Sequence, residues 1–422
     1  MKPGLVFCYN TDALISCLRK NFAENKRAFK SIVGKKEGKT VKIKKRAKKG
    51  WSFAKKGMAP VLAALMLLAA GCSSNSGEAS TAPVSEAPVS QAEASSQEEA
   101  PSQEPESSEA ASSEAQSIPE IPEDPAAEPY LNEGIVMYGK MALEAFYDCQ
   151  EQAADYAEVI STIKRAVPSA EVYNIVVPTH VEFALPEKYK ADFSVSERPT
   201  LDAVYNNYSA EVKGVDVYDA LSLHKLEYLY FNTDHHWTGL GAYYAYTKFA
   251  EEAGFTPVAQ KDMEKKSIPG LLGLLYDITQ EPVLEQNPDS VEYFIIPGNY
   301  ECQVMYQGSD EWLETSMLAE YAEGANAYGV FLGGDNKLFK IQNQDPAMKN
   351  GKKIAVLKES FGNAFVPFLS PHYSEVHVLD MRYWEGNLAS YAAENGIDEI
   401  LIMNNIKSAC NYTFHDYLLA MT

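Results

Sequence analysis

Residues 353–369, KIAVLKESFGNAFVPFL, read in one sweep as a strand, a sharp turn and a helix. The run 353–357 is short, continuous and aliphatic after its first lysine, which suits a strand covered on both faces. Polar Lys358, Glu359 and Ser360 break it, and the apolar run that follows opens on Phe361, Gly362 and Asn363. A serine on such a turn has its hydroxyl exposed and backbone N–H groups beside it free to hold an oxyanion, as in a nucleophile elbow. A serine after a strand serves equally well as a helix N-cap, so Ser360 alone leaves both roles open.

Five other runs end in the same abrupt way: EVYNIVVPTH at His180, EYLYFNTDHH at His236, AYGVFLGGDN at Asn336, EVHVLDMRYW at Trp384 and EILIMNN at Asn405. Helix-like segments lie between many of them, at 143–166, 238–253 and 387–395, the last two closed by Gly254 and Gly396 as C-terminal caps. Strands alternating with helices predict an α/β domain with a mostly parallel, doubly wound sheet. Ligands of such sheets bind beyond the carboxyl ends of the strands, so all six polar turns are expected on one edge. Residues 260–317 fit less well and read as an insertion with β character (VEYFIIPG, YECQVMYQG).

On that edge the sequence TDHHW at 233–237 stands out, because the whole chain has only seven histidines. Residues 228–232 read as a strand and Thr238 as the start of a helix. In extended backbone i and i+2 point the same way, which puts Asp234 and His236 on one side and turns His235 away. A carboxylate in that position holds an imidazole's tautomer and stabilises its cation. Three other roles compete: a metal site needing further ligands, His180 first among them; an N-cap with incidental histidines; and a core histidine satisfied by a buried carboxylate. Order is no obstacle to a triad with Ser360, since Asp, His, Ser is a known sequence.

Together, TDHHWT at 233–238, KESFGNAFVPFL at 358–369 and DMRYW at 380–384 resemble the bacterial DHHW protein family, relatives of the SGNH-like domains of alginate O-acetyltransferases. The resemblance spans roughly residues 130–422. It implies a three-layer α/β/α, SGNH-hydrolase-like fold, a Ser-His-Asp triad and O-acetylation of an exported polysaccharide, with no cofactor or metal. Carried over by motif, Ser360 matches the nucleophile, His236 the base and Asp234 its orienting acid. Oxyanion donors are expected from the Ser360 N–H together with Asn363 or the loop at Gly333. Arg382, Tyr383 and Trp237 are candidates for a sugar-binding cleft; the alternatives are pairing of Arg382 with Asp380 and burial of Trp237 in the core. A transferase also needs acetyl groups outside the cytoplasm, so a membrane-bound acyltransferase is the implied partner. With water as acceptor, the same site is an esterase. Lys358-Glu359 stands where the SGNH signature has Gly-Asp, and a domain that had lost competence would instead bind polysaccharide or scaffold its export.

The remaining sequence concerns location. Residues 1–72 carry 17 Lys/Arg and 3 Asp/Glu, whereas 130–422 carry 20 and 42, a balance that argues against nucleic acid or an anionic membrane surface as partner of the domain. MAPVLAALMLLAAGC at 58–72 is too short to span a bilayer and follows lysines, as an export signal does. Its ending, LAAGCSS, resembles a lipobox, which implies lipid attachment at Cys72 and anchoring to the outer face of the cytoplasmic membrane. The basic leader 1–57 is longer than such signals carry and fits a translation start near Val41. Residues 73–129 are almost all Ser, Glu, Ala, Pro and Gln and predict a disordered acidic tether. Cys149, Cys302 and Cys410 in the domain are odd in number and widely spaced, indicating neither a disulfide framework nor a zinc site, with at least one buried thiol.

Overall fold

The computed structural model describes residues 117–422. The leader, the signal with Cys72, and the tether up to residue 116 lie outside the described residues. No helix among the described residues is long and apolar enough to cross a membrane.

An eight-stranded mixed sheet runs through the domain in the order β5-β4-β13-β11-β12-β10-β8-β9. Its strands are β4 (Glu171–Val177), β5 (Lys213–Gly214), β8 (Tyr300–Met305), β9 (Leu313–Thr315), β10 (Leu338–Asn343), β11 (Lys353–Lys358), β12 (Glu375–Asp380) and β13 (Glu399–Asn405). From β5 to β12 every pairing is parallel, whereas β10, β8 and β9 join antiparallel. Alternate residues of the central strands enter two different cores. Ile175, Ile354, Val356, Val378 and Met403 face one, and Val176, Ala355, Leu357, Ile400 and Ile402 face the other. That double burial explains why these strands are apolar without alternation.

The first core is closed by the helix α2 (Gly239–Ala253), through Ala242, Tyr246 and Phe249, and by Phe361, Phe365 and Leu369. The second is closed by α1 (Gln150–Ala166), α3 (Leu388–Asn395) and α4 (Tyr412–Leu419). Gly254 and Gly396 end their helices at φ 80° and 65°, the left-handed caps expected of them. The fold is thus a mixed α/β domain with a large, mainly parallel sheet between helices.

Four expectations need correction. Residues 143–149 are not helical: β3 (Met141–Glu144) pairs with β2 (Ile135–Tyr138), which pairs with β1 (Tyr130–Asn132), in an antiparallel meander, and α1 begins only at Gln150. Residues 228–232 form no strand; they fold back on 236–238 as a narrow loop with one isolated bridge, Tyr230 to Trp237. Residues 324–330 form a 3-10 helix instead of a strand. Of the supposed insertion, only β6 (Glu264–Leu271) and β7 (Asp289–Ile295) stand apart as a two-stranded ribbon; β8 and β9 belong to the main sheet.

Cys149 and Cys410 are joined in a disulfide that ties the start of α1 to the segment before α4, a pairing the spacing did not suggest, while Cys302 is free and buried. Residues 117–129 hold no helix or strand but touch the domain, through Lys188 to Glu123 (2.5 Å) and the Asp124 N–H to Tyr138 Oη (3.1 Å).

Candidate active site

The strand β11 ends at Lys358, and the chain turns over its side chain to place Ser360 beyond the carboxyl end of the sheet. The turn is closed by the Gly362 N–H donating to Glu359 O at 3.0 Å and the Asn363 N–H to Ser360 O at 3.2 Å. A Cβ on Gly362 would sit 2.6 Å from Lys358 Cβ, so only glycine lets the turn pack this tightly. The Ser360 N–H donates to no group among the described residues.

The TDHHW loop reaches this turn from the α2 side. His236 Nε2 lies 2.8 Å from Ser360 Oγ, and His236 Nδ1 lies 2.6 Å from Asp234 Oδ1. The pairing is not made by extended backbone. The segment is bent, and Asp234 Oδ1 also accepts from the His236 N–H at 3.0 Å, which curls the loop around the carboxylate. His235 consequently does not turn away; its ring lies 3.9 Å from that of His236. Asp234 Oδ2 accepts from the Leu274 N–H at 2.9 Å, and the Gly273 Cα is so close that an added Cβ would lie 2.3 Å from Asp234. Burial pushes the Asp234 carboxyl up, but His236 and His235 beside it and these hydrogen bonds outweigh that and hold it well below the usual range.

Several side chains fix the loop without belonging to its motif. Asp289 is buried at the start of β7 and accepts from the Asn232 N–H (3.0 Å), the Thr233 N–H (2.7 Å), Thr233 Oγ1 (2.6 Å) and Tyr228 Oη (2.5 Å). Tyr328 stacks on the His236 ring at 4.1 Å and donates from Oη to Ser360 O at 2.9 Å. Trp237 is fully buried and donates from Nε1 to Phe361 O at 2.9 Å, joining the two halves of the site. Trp237 is therefore core, not the cleft wall considered from sequence.

Beneath the turn lies a buried ion cluster. Lys358 Nζ is 3.0 Å from Asp380 Oδ2 and 3.3 Å from Asp335 Oδ1, and the Arg382 guanidinium bonds both carboxylates, at 2.6 Å to Asp380 and 2.7 Å to Asp335. Burial raises the Asp335 carboxyl, yet Arg382 and Lys358 overcome this and hold it below the usual range. Arg382 thus makes the ion pair with Asp380 that was one of its two expected roles, and a second with Asp335. Tyr383 remains half-buried beside it, its ring centroid 5.1 Å from the guanidinium.

Of the two extra oxyanion candidates, Asn363 is buried at the turn and donates one Nδ2 hydrogen to Asp335 at 2.9 Å. Gly333, exposed at φ 72°, makes no hydrogen bond to the serine turn among the described residues; Asp335, two residues on, accepts from Asn363 there.

Asp234, His235 and His236 are the one group among the described residues whose donor atoms, all within 4.8 Å of one another, are close enough to share a metal ion. Both ring nitrogens of His236 are already engaged, however, and His180, the further ligand considered, stacks on Tyr230 at 5.3 Å outside this group.

Glu359, noted in the sequence only as a departure from the SGNH signature, also belongs to the site. It is 3% exposed; Oε1 accepts from the Asn405 N–H at 2.8 Å, and Oε2 lies 3.1 Å from both Phe361 N and Ser360 Oγ. The signal was its place in KES, next to the candidate nucleophile.

The model of the DHHW protein family matches residues 132–379, and the chain belongs to that family. A solved structure of a DHHW family protein from Eubacterium siraeum DSM 15702 is similar at 29% identity, covering 70% of this chain and 98% of that one, with a TM-score of 0.64. Two structures of Bacillus cereus PatB1, one with a sulfonyl adduct, share the fold at 17% identity, covering 68% of this chain and 97% and 99% of theirs, with TM-scores of 0.55 and 0.54. No curated protein matches the sequence.

Proposed function

We propose that the domain is an SGNH-like serine O-acetyltransferase or acetylesterase acting outside the cytoplasm on a cell-surface or exported polysaccharide. The observation that carries this reading is the unbroken chain of contacts from Asp234 through His236 to Ser360. Ser360 Oγ attacks the acetyl carbonyl of a donor while its proton passes to His236 Nε2, and the carbonyl electron pair moves onto oxygen. The Ser360 N–H, with the second Nδ2 hydrogen of Asn363, supports that oxyanion. Collapse expels the donor oxygen, which takes the proton from His236 and leaves acetyl-serine. A sugar hydroxyl or water then gives its proton to His236, attacks the acetyl group and releases Ser360. Asp234 keeps the Nδ1–H of His236 turned toward itself, so that Nε2 is the basic nitrogen.

The acetyl group and the polysaccharide come from the family resemblance. A membrane-bound acyltransferase supplies the acetyl groups in this reading, and lipid on Cys72 with the acidic tether keeps the domain at the outer membrane face.

The test is intact mass of the full chain after brief exposure to p-nitrophenyl acetate and, separately, to a sulfonyl fluoride, the reagent class suggested by the adduct of PatB1. We expect one acetyl or sulfonyl group mapping to Ser360 and none on a folded Ser360→Ala variant. Equal labelling of both proteins, or none of either, removes the nucleophile. In that case the alternative of a non-catalytic polysaccharide-binding lipoprotein takes over, and its own signature is glycan binding that survives Ser360→Ala.

A further inference from the structure

Ser360 Oγ has one proton and two polar neighbours, His236 Nε2 at 2.8 Å and Glu359 Oε2 at 3.1 Å. If the imidazole were neutral and Glu359 ionised, both neighbours would be acceptors, and the hydroxyl could satisfy only one. A carboxylate there would also set a second negative charge against the oxyanion that forms on attack. Both contacts are satisfied at once if Glu359 carries a proton.

We propose that Glu359 is a positioning residue that works as a neutral carboxylic acid, donating from Oε2 to Ser360 Oγ while Ser360 donates to His236, and that its ionisation sets the alkaline limit of the reaction. This rests on the serine reading given above. The surroundings support it. Oε2 is 3.1 Å from the Phe361 N–H, which a hydroxyl oxygen can accept while donating its own hydrogen elsewhere; Oε1 accepts from the Asn405 N–H as a carbonyl oxygen does. No cation forms an ion pair with Glu359 among the described residues. The charged and titratable groups around it are His236 across Ser360, His235 on the same loop, Arg382, Tyr328 and Tyr156. Burial raises the Glu359 carboxyl, and the opposing pull of Arg382, the Phe361 and Asn405 N–H groups and His235 does not cancel it.

The same proton can shift through Ser360 onto His236, giving a resting form in which the serine donates to a carboxylate. Only the form with the proton on Glu359 leaves His236 free as the base. In that form, Oγ loses its proton to His236 as the Oγ–C bond forms, and the Glu359 O–H remains a donor to Oγ throughout. When acetyl-serine collapses, the departing Oγ takes its proton back from His236, so Glu359 neither gains nor loses one in the cycle.

The decisive experiment is the pH dependence of the sulfonylation rate of Ser360 and of kcat/KM for p-nitrophenyl acetate, in wild type, Glu359→Gln and Glu197→Gln. Glu197 is the control, since it is also fully buried and its carboxyl is pushed up to about 8, but it lies against Thr179. Wild type and Glu197→Gln should lose rate about tenfold per pH unit above one shared midpoint; Glu359→Gln should keep its plateau within about tenfold and lose that alkaline fall. An unchanged fall in a folded Glu359→Gln overturns the proposal, as does a plateau lower by a hundredfold or more. Labelling of wild type at Ser360 keeps the serine reading intact in either case, and no labelling rejects that reading first. Should Glu359→Gln not fold, infrared titration of Glu197→Gln decides: a protonated carboxyl band at pH 7 that vanishes over the same interval as the rate supports the proposal, and its absence overturns it.

Discussion

The site is made of two regions that hold their residues by different means. Ser360 sits on a strand end. Its position follows from the register of β11 between β12 and β13 and from the ion cluster of Lys358, Asp335, Asp380 and Arg382 under the turn. Asp234 and His236 sit on a loop with no ladder to fix it. That loop is held by groups sent from elsewhere in the chain: the Asp289 carboxylate accepts from its N–H groups, the Leu274 N–H donates to Asp234, and Gly273 packs against it. Damage should therefore spread differently from the two regions. The strand end is part of the sheet, so breaking it costs the whole fold; the loop is an attachment, so loosening it costs reactivity.

The largest effect is expected at Lys358. Its side chain is 1% exposed between two carboxylates, and Lys358→Met removes one of the two cations that balance them. Taking one partner from a buried cluster costs about 3–5 kcal/mol, seen as a lower urea midpoint with an unchanged slope. The loss should also depend on pH. Asp335 is held below the usual carboxylate range, so its contribution is full above about pH 4 and fades as the pH falls through its folded value. The penalty of Lys358→Met should therefore shrink in acid. A cost below about 1 kcal/mol at neutral pH would show that the cluster does not hold the strand end.

Asp289→Asn probes the other region. The amide keeps one acceptor oxygen but turns an N–H₂ toward donors that now share a carboxylate: the N–H groups of Asn232 and Thr233 and the hydroxyls of Thr233 and Tyr228. Misplacing a catalytic pair by a fraction of its contact distance costs about ten- to a hundredfold in rate. We expect a fall of that size in Ser360 sulfonylation, with a thermal midpoint that moves less than that of Lys358→Met. A midpoint shift as large as that of Lys358→Met, with reactivity intact, would reverse the contrast drawn between the two regions.

Legibility in the sequence divides along the same line. The runs at 171–177, 353–358, 375–380 and 399–405 are apolar because both sheet faces are covered, and that pattern is visible without a structure. The run EYLYFN is also apolar but forms no ladder, because its polar backbone is satisfied by Asp289, 57 residues after Asn232, and by residues 236–238. AYGVFLGG fails similarly: its first four residues end a 3-10 helix, Gly324–Val330, where its apolar residues suggested a strand. Within the site, Ser360, His236 and Asp234 were visible as motif residues on an expected edge. Asp289, Gly273 and Tyr328 were not, since each acts through a contact set by the tertiary fold. The meander at 130–144 is legible in part: NEGIVMYGKMALE has two short apolar runs divided by Gly-Lys, a hairpin signal, of which the expected helix from Leu143 overlapped only the last two residues.

The smallest effect should come from the bond that joins the two regions beside the His236–Ser360 contact. Trp237 Nε1 donates to Phe361 O at 2.9 Å while the ring packs against Phe361 and Phe365, at centroid distances of 5.9 and 6.5 Å. Trp237→Phe keeps an aromatic ring in the core but removes the donor and part of the ring. The lost hydrogen bond is worth about 1 kcal/mol, and the reduced packing adds to that by as much as the site fails to close. Because the bond spans loop and strand end, its loss should show in both readouts at once: a modest fall in thermal midpoint and a severalfold fall in Ser360 sulfonylation, each smaller than in the variants above. If reactivity fell as far as in Asp289→Asn, the loop would be hanging from Trp237 and not from Asp289. If neither readout moved, Tyr328, which meets both His236 and the Ser360 carbonyl, would be the true link between the two regions.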